Sequence, residues 1–266
     1  MDLDHARTVA VEAVEAAGAL LLEGARGAVG VRAKGVAGDV VTDLDLASEK
    51  LLLERILTAY PSHAVIAEES GLAGSAGAEW TWLVDPLDGT NNVAIGLPTY
   101  VVGVALCRAG RALLGVVHDP VSAQTWSAIR GRGAVASSGA RLAPPYAPSP
   151  HGPLLAWTQG YDIARDDVTA LRLKTALDRH ARRVLQLWAP LLAWAMLARG
   201  DIDGIVGYRA EMVDLPAGAL LAREAGIEIR ALDGRPYEEC IDAPAEERSF
   251  VAAHPRAVPG LLALVQ

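Results

Sequence analysis

The sequence predicts an α/β sandwich with two subdomains. Apolar runs typical of buried strands alternate along the chain with stretches whose apolar residues recur at helical spacing. Prolines concentrate between Pro144 and Pro153 and mark the clearest internal boundary. We therefore expect an N-terminal α+β subdomain over residues 1–143 and a C-terminal α/β subdomain over residues 144–266. Of the 266 residues, 52% are hydrophobic, which is enough to bury a sizeable core.

The first half opens with helices and short buried strands. Thr42 or Asp43 is expected to cap the second helix. A later strand should stop at Pro86, because proline cannot donate to a strand ladder. A first helix is predicted over residues 4–24, and the helix after the cap has apolar positions from Leu46 to Leu57 and ends at Tyr60. Strands are predicted over Ala64–Ala67 and Trp80–Val84, a glycine-broken loop over residues 34–38 and a small-residue loop over residues 71–77.

Three apolar runs in the middle of the chain favour antiparallel strands joined by hairpins. The glycines of residues 130–134 resemble a dinucleotide fingerprint, but this segment opens no helix, so we interpret it as a turn. The three runs are Tyr100–Cys107, Ala112–Val117 and Thr125–Ile129; later strands are predicted over residues 154–158, 184–187, 203–206, 227–229 and 250–253, and helices over 166–180, 190–198, 214–225 and the C-terminus.

Composition narrows the possible partners. The net charge of −8 argues against nucleic acid as a binding partner, because the two would repel each other. Cys107 and Cys240 show no zinc-site spacing, and so few cysteines suit a reducing cytoplasm. The N-terminus lacks the pattern of a signal peptide, and no apolar run approaches the ~18 residues of a membrane span. We expect a cytoplasmic protein without a membrane partner.

One stretch carries the strongest chemical pattern. Asp85 and Asp88 follow the apolar run ending at Val84, at the carboxyl end of a strand, where α/β proteins place their sites. Gly89 permits a tight turn, and the backbone N–H groups of Gly89 and Thr90 can face an anion. Carboxylates beside free N–H groups suit a hard cation that bridges to a phosphate. The alternative is an ordinary polar turn.

Three further carboxylates, Asp45, Glu68 and Asp214, follow apolar runs or stand at predicted helix starts. Clustered carboxylates repel one another unless a cation holds them, and two Mg²⁺ ions about 3.5–4 Å apart can clamp a phosphate and the attacking water. The alternative is that several are helix caps. Asp214 suits a cap because Pro216 follows it closely. Spacing alone leaves both interpretations open.

Four segments together resemble motifs of the inositol monophosphatase family, part of the Mg²⁺-dependent, lithium-sensitive phosphatase superfamily that includes fructose-1,6-bisphosphatase. Their order and spacing fit over nearly the whole chain, and the resemblance implies a layered αβαβα sandwich. Asp39–Asp45 resembles D-x-V-T-x-x-D, Ala67–Ser70 resembles G-E-E-S, Val84–Asn92 resembles D-P-[IL]-D-G-T-x-N-F, and Val213–Gly226 resembles W-D-x-A-A-G…E-A-G.

The resemblance also implies roles for the matching residues. Two or three Mg²⁺ ions would bind, Li⁺ would inhibit, and the protein would be a homodimer. Asp45 and Thr90 would polarise the attacking water, with Glu68 also at the catalytic centre and Lys34 near the metal site. Water would attack phosphorus directly, without a covalent phosphoenzyme. The implied metal ligands are Glu68, Asp85, the Leu87 carbonyl, Asp88 and Asp214, and the implied phosphate-binding groups are the N–H groups of Gly89 and Thr90.

Departures from the family pattern fall mostly on the substrate side. Trp188 lies in a segment where the family usually has a G-[ST]-A-A-type turn. Gly207 stands where inositol-preferring members carry a glutamate, and Arg209 lies near it. Tyr161 replaces a small polar residue. Trp188, Tyr161, Gly207 and Arg209 are therefore our candidates for the substrate pocket; the departures at Val93, Val213 and Pro216 are interpreted as packing changes.

The expected function is Mg²⁺-dependent hydrolysis of a small polyol, sugar or related metabolite phosphate by metal-activated water. Alternatives within this class are a 3′(2′),5′-bisphosphate nucleotidase and a histidinol-phosphate phosphatase, because Trp188 can stack on a base or ring. A hypothesis of another class is a non-catalytic, metal-dependent metabolite-binding protein.

Overall fold

Seven α-helices and fifteen strands are present in the described part of the chain, residues 1–27, 29–34 and 39–266 of this computed structural model. The loop predicted over residues 34–38 lies, beyond Lys34, outside the described residues. The helices are α1 Leu3–Gly24, α2 Asp43–Ala59, α3 Thr90–Ala94, α4 Val168–His180, α5 Pro190–Arg199, α6 Leu215–Glu224 and α7 Val258–Val265.

The strands form two main sheets and a hairpin. The hairpin is β1 Val31–Lys34 and β2 Asp39–Thr42; the first sheet holds β3 Ala64–Ala67, β4 Gly71–Gly74, β5 Trp80–Asp88, β6 Val101–Arg108, β7 Arg111–Asp119, β8 Gln124–Ile129, β9 Gly133–Ala136 and β10 Arg141–Leu142; the second holds β11 Leu154–Gln159, β12 Arg183–Leu185, β13 Gly204–Tyr208, β14 Glu228–Ala231 and β15 Phe250–Ala253.

Within the described residues the elements stack in five αβαβα layers, which confirms the expected fold class. Helices α1 and α2 cover one face of the eight-stranded sheet, ordered β10-β9-β8-β7-β6-β5-β3-β4. Helices α5 and α6 lie between this sheet and the five-stranded sheet, ordered β12-β11-β13-β15-β14. Helices α4 and α7 cover the outer face of the second sheet. The middle layer therefore belongs to both halves of the core.

Small residues let the middle layer approach the first sheet closely. A Cβ atom at Gly115 of β7 would lie 2.7 Å from the carbonyl oxygen of Ala217 in α6. A Cβ atom at Gly103 of β6 would overlap the side chain of Leu191 in α5. Because glycine has no side chain, these two strand positions allow the N-terminal parts of α5 and α6 to pack close to the sheet.

Two local predictions are wrong. The segment predicted as a loop over residues 71–77 begins with β4, which pairs antiparallel with β3 and covers its edge. Strand β5 does not stop at Pro86 but continues to Asp88, with a register shift against β6 between Asp85 and Asp88. An irregularity of this kind tolerates proline, because the missing N–H falls where the ladder is interrupted.

The helix starts agree better with the sequence. Thr42, rather than Asp43, caps α2, in a capping box with Asp45. The turn predicted over residues 130–134 connects β8 to β9, as expected. Among the described residues no helix is long and apolar enough to cross a membrane.

Candidate functional site

The carboxyl ends of two parallel strands bring the first carboxylates together. Strand β3 runs parallel to β5, with Ala67 paired to Val84, so Glu68 and Asp85 follow neighbouring positions. The N–H group of Glu68 donates to the carbonyl oxygen of Val84 at 3.1 Å. The irregularity in β5 then keeps both Asp85 and Asp88 buried at this sheet end.

Asp214 completes a buried acidic cluster. Carboxylate oxygens of Asp85, Asp88 and Asp214 all lie within 4.8 Å of one another. Asp214 occupies the N-cap position of α6, but its side chain makes no capping hydrogen bond. Asp214 therefore stands where a helix cap was expected, but its side chain does not cap the helix. We call these three residues the acidic cluster.

Burial makes the acidic cluster costly without a cation. Desolvation, followed by the charges of neighbouring carboxylates, raises the pKa of Asp85 and of Asp214 well above the ordinary range. Desolvation also raises the pKa of Asp88. A divalent cation would keep these groups ionised, and a set of hard carboxylate oxygens fits Mg²⁺.

Lys34 approaches the cluster from the β1 side. Its Nζ lies 2.8 Å from a carboxylate oxygen of Glu68 and 2.7 Å from one of Glu69. Desolvation lowers the pKa of Lys34, but the charges and hydrogen bonds of Glu68 and Glu69 together outweigh it, so the net pKa is raised. For Glu68, desolvation is the leading cause, and its pKa is raised despite the lysine. Lys34 thus partly neutralises the edge of the site.

Asp88 joins the acidic cluster to the middle helical layer. Its Oδ2 accepts hydrogen bonds from the N–H groups of Leu191 at 2.8 Å and Leu192 at 3.3 Å, in the first turn of α5. These N–H groups have no intrahelical acceptor, and the positive end of the helix dipole favours the carboxylate. Asp88 therefore has backbone support from the second half of the chain.

Asp45 and Thr90 meet beside the cluster. Oγ1 of Thr90 lies 2.7 Å from Oδ1 of Asp45 and 3.0 Å from the carbonyl oxygen of Leu87. The other Asp45 oxygen accepts the N–H of Thr42 at 2.8 Å and also contacts its hydroxyl. Asp45 is thus fixed by its own helix cap and positions the Thr90 hydroxyl.

Both the backbone conformation at position 89 and the close packing around it require a glycine. Its φ of 112° lies in the left-handed region, and a Cβ atom there would be 2.7 Å from the carbonyl oxygen of Thr99. Thr90 follows as the first residue of α3, where backbone N–H groups have no intrahelical acceptor.

Three polar residues that support the site were missed from the sequence. Glu49 accepts the N–H groups of Glu69 at 2.8 Å and Ser70 at 3.0 Å, which orients the segment after β3. Ser48 donates to the carbonyl oxygen of Pro86 at 2.7 Å. A signal was available, because both lie on the buried helical stripe of α2 that Asp45 begins.

Asn92 is the third such residue: it lies in the Val84–Asn92 motif, but no role was assigned to it from the sequence. Its Nδ2 donates to the carbonyl oxygens of Thr99 at 2.6 Å and Leu187 at 2.7 Å. This contact ties the segment before Trp188 to the segment that carries Asp88 and Thr90. It thereby fixes the position of the segment that carries Trp188 relative to the acidic cluster.

A cavity of about 530 Å³ adjoins the acidic cluster. Asp214, Tyr161 and Trp188 line it together with residues of β11 and the α4 region. Trp188 is 59% exposed and has a left-handed backbone with φ of 52°. Desolvation, followed by the charge of Asp214, raises the pKa of Tyr161. Two of the four pocket candidates therefore lie at this cavity.

The structure does not bring the other two candidates to the cavity. Gly207 is buried within β13, where a Cβ atom would overlap the ring of Phe250. The guanidinium of Arg209 lies over the ring of Tyr208, 5.6 Å from its centroid. Neither Gly207 nor Arg209 is among the residues lining the cavity. Packing against Phe250 accounts for glycine at position 207.

Comparison with known proteins shows similarity to the inositol monophosphatase family over nearly the whole chain. The sequence profile of the inositol monophosphatase family matches residues 2–266. The Nus factor SuhB of Escherichia coli K12 is 31% identical over 257 residues, covering 96% of this chain and 93% of that protein. The structure of an inositol monophosphatase from Anabaena (Nostoc) superimposes with a TM-score of 0.82 at 26% identity, covering 100% of this chain and 96% of that one. The extragenic suppressor protein SuhB of Bartonella henselae, at 24% identity, gives a TM-score of 0.86 over 97% of both chains, which shows the same fold.

Proposed function

The chain belongs to the inositol monophosphatase family, and on that basis we propose that it is a Mg²⁺-dependent phosphomonoesterase. Its substrate would be a small polyol, sugar or related metabolite phosphate. The observation that carries the proposal is the convergence of Asp85, Asp88 and Asp214 within 4.8 Å beside a cavity of about 530 Å³. A buried, all-oxygen donor set beside a cavity suits metal-assisted hydrolysis.

The proposed metal ligands come from both halves of the chain. When bound, Mg²⁺ would lower the pKa of water and neutralise charge on the phosphate. We propose two or three ions and inhibition by Li⁺, as the family resemblance implies. The residues that would hold the ions are Glu68, Asp85, the Leu87 carbonyl, Asp88 and Asp214.

Groups of the protein itself would accept the proton of the attacking water and bind the phosphate. Thr90 Oγ1, 2.7 Å from Asp45, would accept a proton from the attacking water as its own proton moves to the carboxylate. The backbone N–H groups of Gly89 and Thr90 would bind phosphate oxygens at the start of α3. Trp188 and Tyr161 would form part of the wall around the alcohol portion of the substrate. A ring on that portion could stack on Trp188, which keeps nucleotide and histidinol phosphates among the candidates.

Release of inorganic phosphate tests the proposal. A panel of sugar, polyol, nucleotide and amino-alcohol phosphates is incubated with Mg²⁺, and a parallel panel contains EDTA. We expect turnover of at least one ester with Mg²⁺ and none with EDTA. Binding of esters without turnover of any of them would overturn the enzymatic proposal.

A second candidate is a non-catalytic, metal-dependent binding protein. It is favoured by the name of the E. coli relative, a Nus factor, which describes that protein by a role other than hydrolysis. The same phosphate-release panel separates the two candidates. We also propose a homodimer in the cytoplasm; light scattering tests the first point and cell fractionation the second.

A further inference from the structure

The substrate cavity is lined by charges of both signs. Asp39 and Asp214 line it on the side of the acidic cluster. Arg165 and Lys174 line the same cavity from the loop after β11 and from α4, the helix on the outer face of the second sheet. One cavity thus joins the proposed reaction centre to two cations on other elements.

These two cations have no carboxylate partner among the described residues. Neither Arg165 nor Lys174 forms an ion pair there, whereas Lys34 at the other side of the site is paired with two glutamates. Nζ of Lys174 lies over the ring of Trp157, 5.5 Å from its centroid. Asp162 and Asp166, on either side of Arg165 in sequence, do not line the cavity.

Other basic residues on α4 behave differently. Arg172 donates to the carbonyl oxygen of Val265 at 3.0 Å, and Arg179 is exposed outside the cavity. Lys174 is half-buried at the cavity wall, so its charge is less screened than that of a surface lysine. The position of Lys174 at the cavity is thus particular to this residue rather than common to the basic residues of α4. Arg165, in the loop before α4, is exposed at the same cavity.

We propose that the natural substrate carries a second anionic group, a carboxylate or a second phosphate, which Arg165 and Lys174 bind. The inference rests on the proposed phosphatase function and narrows its substrate class. A cavity of about 530 Å³ lies within the ~300–1,000 Å³ of sites for small organic ligands and can hold a spacer between two anions. Arginine binds either oxyanion in a bidentate manner, and lysine adds a point charge.

Three esters that differ at one end test this inference. Sorbitol 6-phosphate ends in a neutral hydroxymethyl group, 6-phosphogluconate ends in a carboxylate, and sorbitol 1,6-bisphosphate ends in a phosphate. We expect kcat/KM to be roughly tenfold or more higher for at least one doubly anionic ester, since a charge-assisted hydrogen bond contributes about that factor. The favoured ester identifies which anion the site prefers.

Matched variants connect the preference to the two cations. Arg165→Gln and Lys174→Met, which keeps an apolar stem over Trp157, should each lower kcat/KM roughly tenfold for the doubly anionic ester and leave sorbitol 6-phosphate unchanged. Arg179→Gln on the same helix should change neither. Equal kcat/KM for the three esters in the unmodified protein, or an unchanged preference in the double variant, would overturn the inference.

Titration calorimetry in the presence of Mg²⁺ measures ester binding directly and so tests the anion site without requiring turnover. If no ester is hydrolysed, the phosphatase proposal fails, and the same three esters are titrated as ligands. Tighter binding of a doubly anionic ester, lost in Arg165→Gln/Lys174→Met, would still support the anion site. Equal binding of all three, or of none, would refute it.

Discussion

At the scale of single residues, Asp88 shows how a buried carboxylate is accommodated. It stands within 4.8 Å of Asp85 and Asp214, yet its Oδ2 also accepts two backbone hydrogen bonds from the first turn of α5. The hydrogen bonds do not require a charge, because the oxygen of a side-chain amide can also accept them, although more weakly. The structural and the proposed metal-binding roles of this side chain can therefore be separated.

Asp88→Asn should abolish phosphate release while the protein stays folded. The amide keeps an acceptor for Leu191 and Leu192 but removes one negative charge from the acidic cluster. We expect a loss of at least about a hundredfold in kcat, and an equal or higher melting temperature in EDTA because like-charge repulsion falls. Phosphate release and circular dichroism measure the two effects. Asp178→Asn, exposed on α4, is the control; retained activity in Asp88→Asn would refute the metal assignment.

Thr90 offers a sharper test, because its hydroxyl can be removed or kept. Thr90→Val preserves shape but removes the group 2.7 Å from Asp45, so kcat should fall by about 10²–10⁴, the range for general acid–base catalysis. Thr90→Ser keeps the hydroxyl and should retain kcat within about tenfold. Initial rates of phosphate release at saturating Mg²⁺ give the comparison. Similar rates in the valine and serine variants would exclude a role for Oγ1.

At the scale of elements, α1 packs against β7 through a glycine. A Cβ atom at Gly18 would overlap the ring of His118. Gly18→Ala should therefore destabilise the protein by about 1–3 kcal/mol, despite the better helix propensity of alanine. Gly260→Ala in α7, where a Cβ meets nothing within 4 Å, should instead stabilise it by up to about 1 kcal/mol. Urea unfolding measures both; a stabilised Gly18→Ala would show that His118 moves freely.

The same contact makes stability depend on pH. Nδ1 of His118 lies 2.9 Å from Oγ1 of Thr125, which donates to Glu15 at 2.7 Å. Desolvation lowers the pKa of His118 below its ordinary value of 6.5, although Glu15 opposes this. The unfolded chain then binds the proton more readily, so this contribution to stability is complete above pH 6.5 and is lost as the pH falls toward the folded-state pKa.

His118→Gln provides the measurement, because glutamine keeps a donor for Thr125 but does not titrate. The unfolding free energy of the parent protein should fall more between pH 7.5 and pH 5 than that of His118→Gln. His151→Gln, at an exposed position, should follow the parent protein. Parallel pH profiles for the parent and His118→Gln would contradict the prediction.

Most elements were predictable from sequence because their signals are local. Helical spacing and the Thr42 cap placed α1 and α2, and apolar runs placed β6 to β8. Strand β4 was not predictable, since its glycines pair only because β3 offers a free edge. Motif order likewise located Asp85, Asp88 and Asp214, whereas the support from Leu191 depends on tertiary packing. Arg165 and Lys174 belong to none of the sequence motifs. Their shared position becomes visible only in the folded structure, where both line one cavity.

At the scale of the whole molecule, the proline-rich connector divides the chain but not the core. Residues 1–143 supply the eight-stranded sheet, and residues 144–266 supply α5 and α6, which cover one of its faces. Those helices also cover the inner face of the second sheet. We therefore propose that the two subdomains expected from sequence are topological halves that unfold together.

A urea titration that observes each sheet separately tests this cooperativity. Trp126 is buried between the first sheet and the middle layer, and Trp157 is buried between the second sheet and α4, so 5-fluorotryptophan at these positions gives one ¹⁹F signal for each sheet. Trp→Phe replacement assigns the signals. We expect both native signals to disappear at the same urea concentration, together with the far-ultraviolet circular dichroism, because loss of α5 and α6 would expose apolar faces of both sheets. Separate midpoints for Trp126 and Trp157 would instead show that residues 1–143 and 144–266 are independently stable.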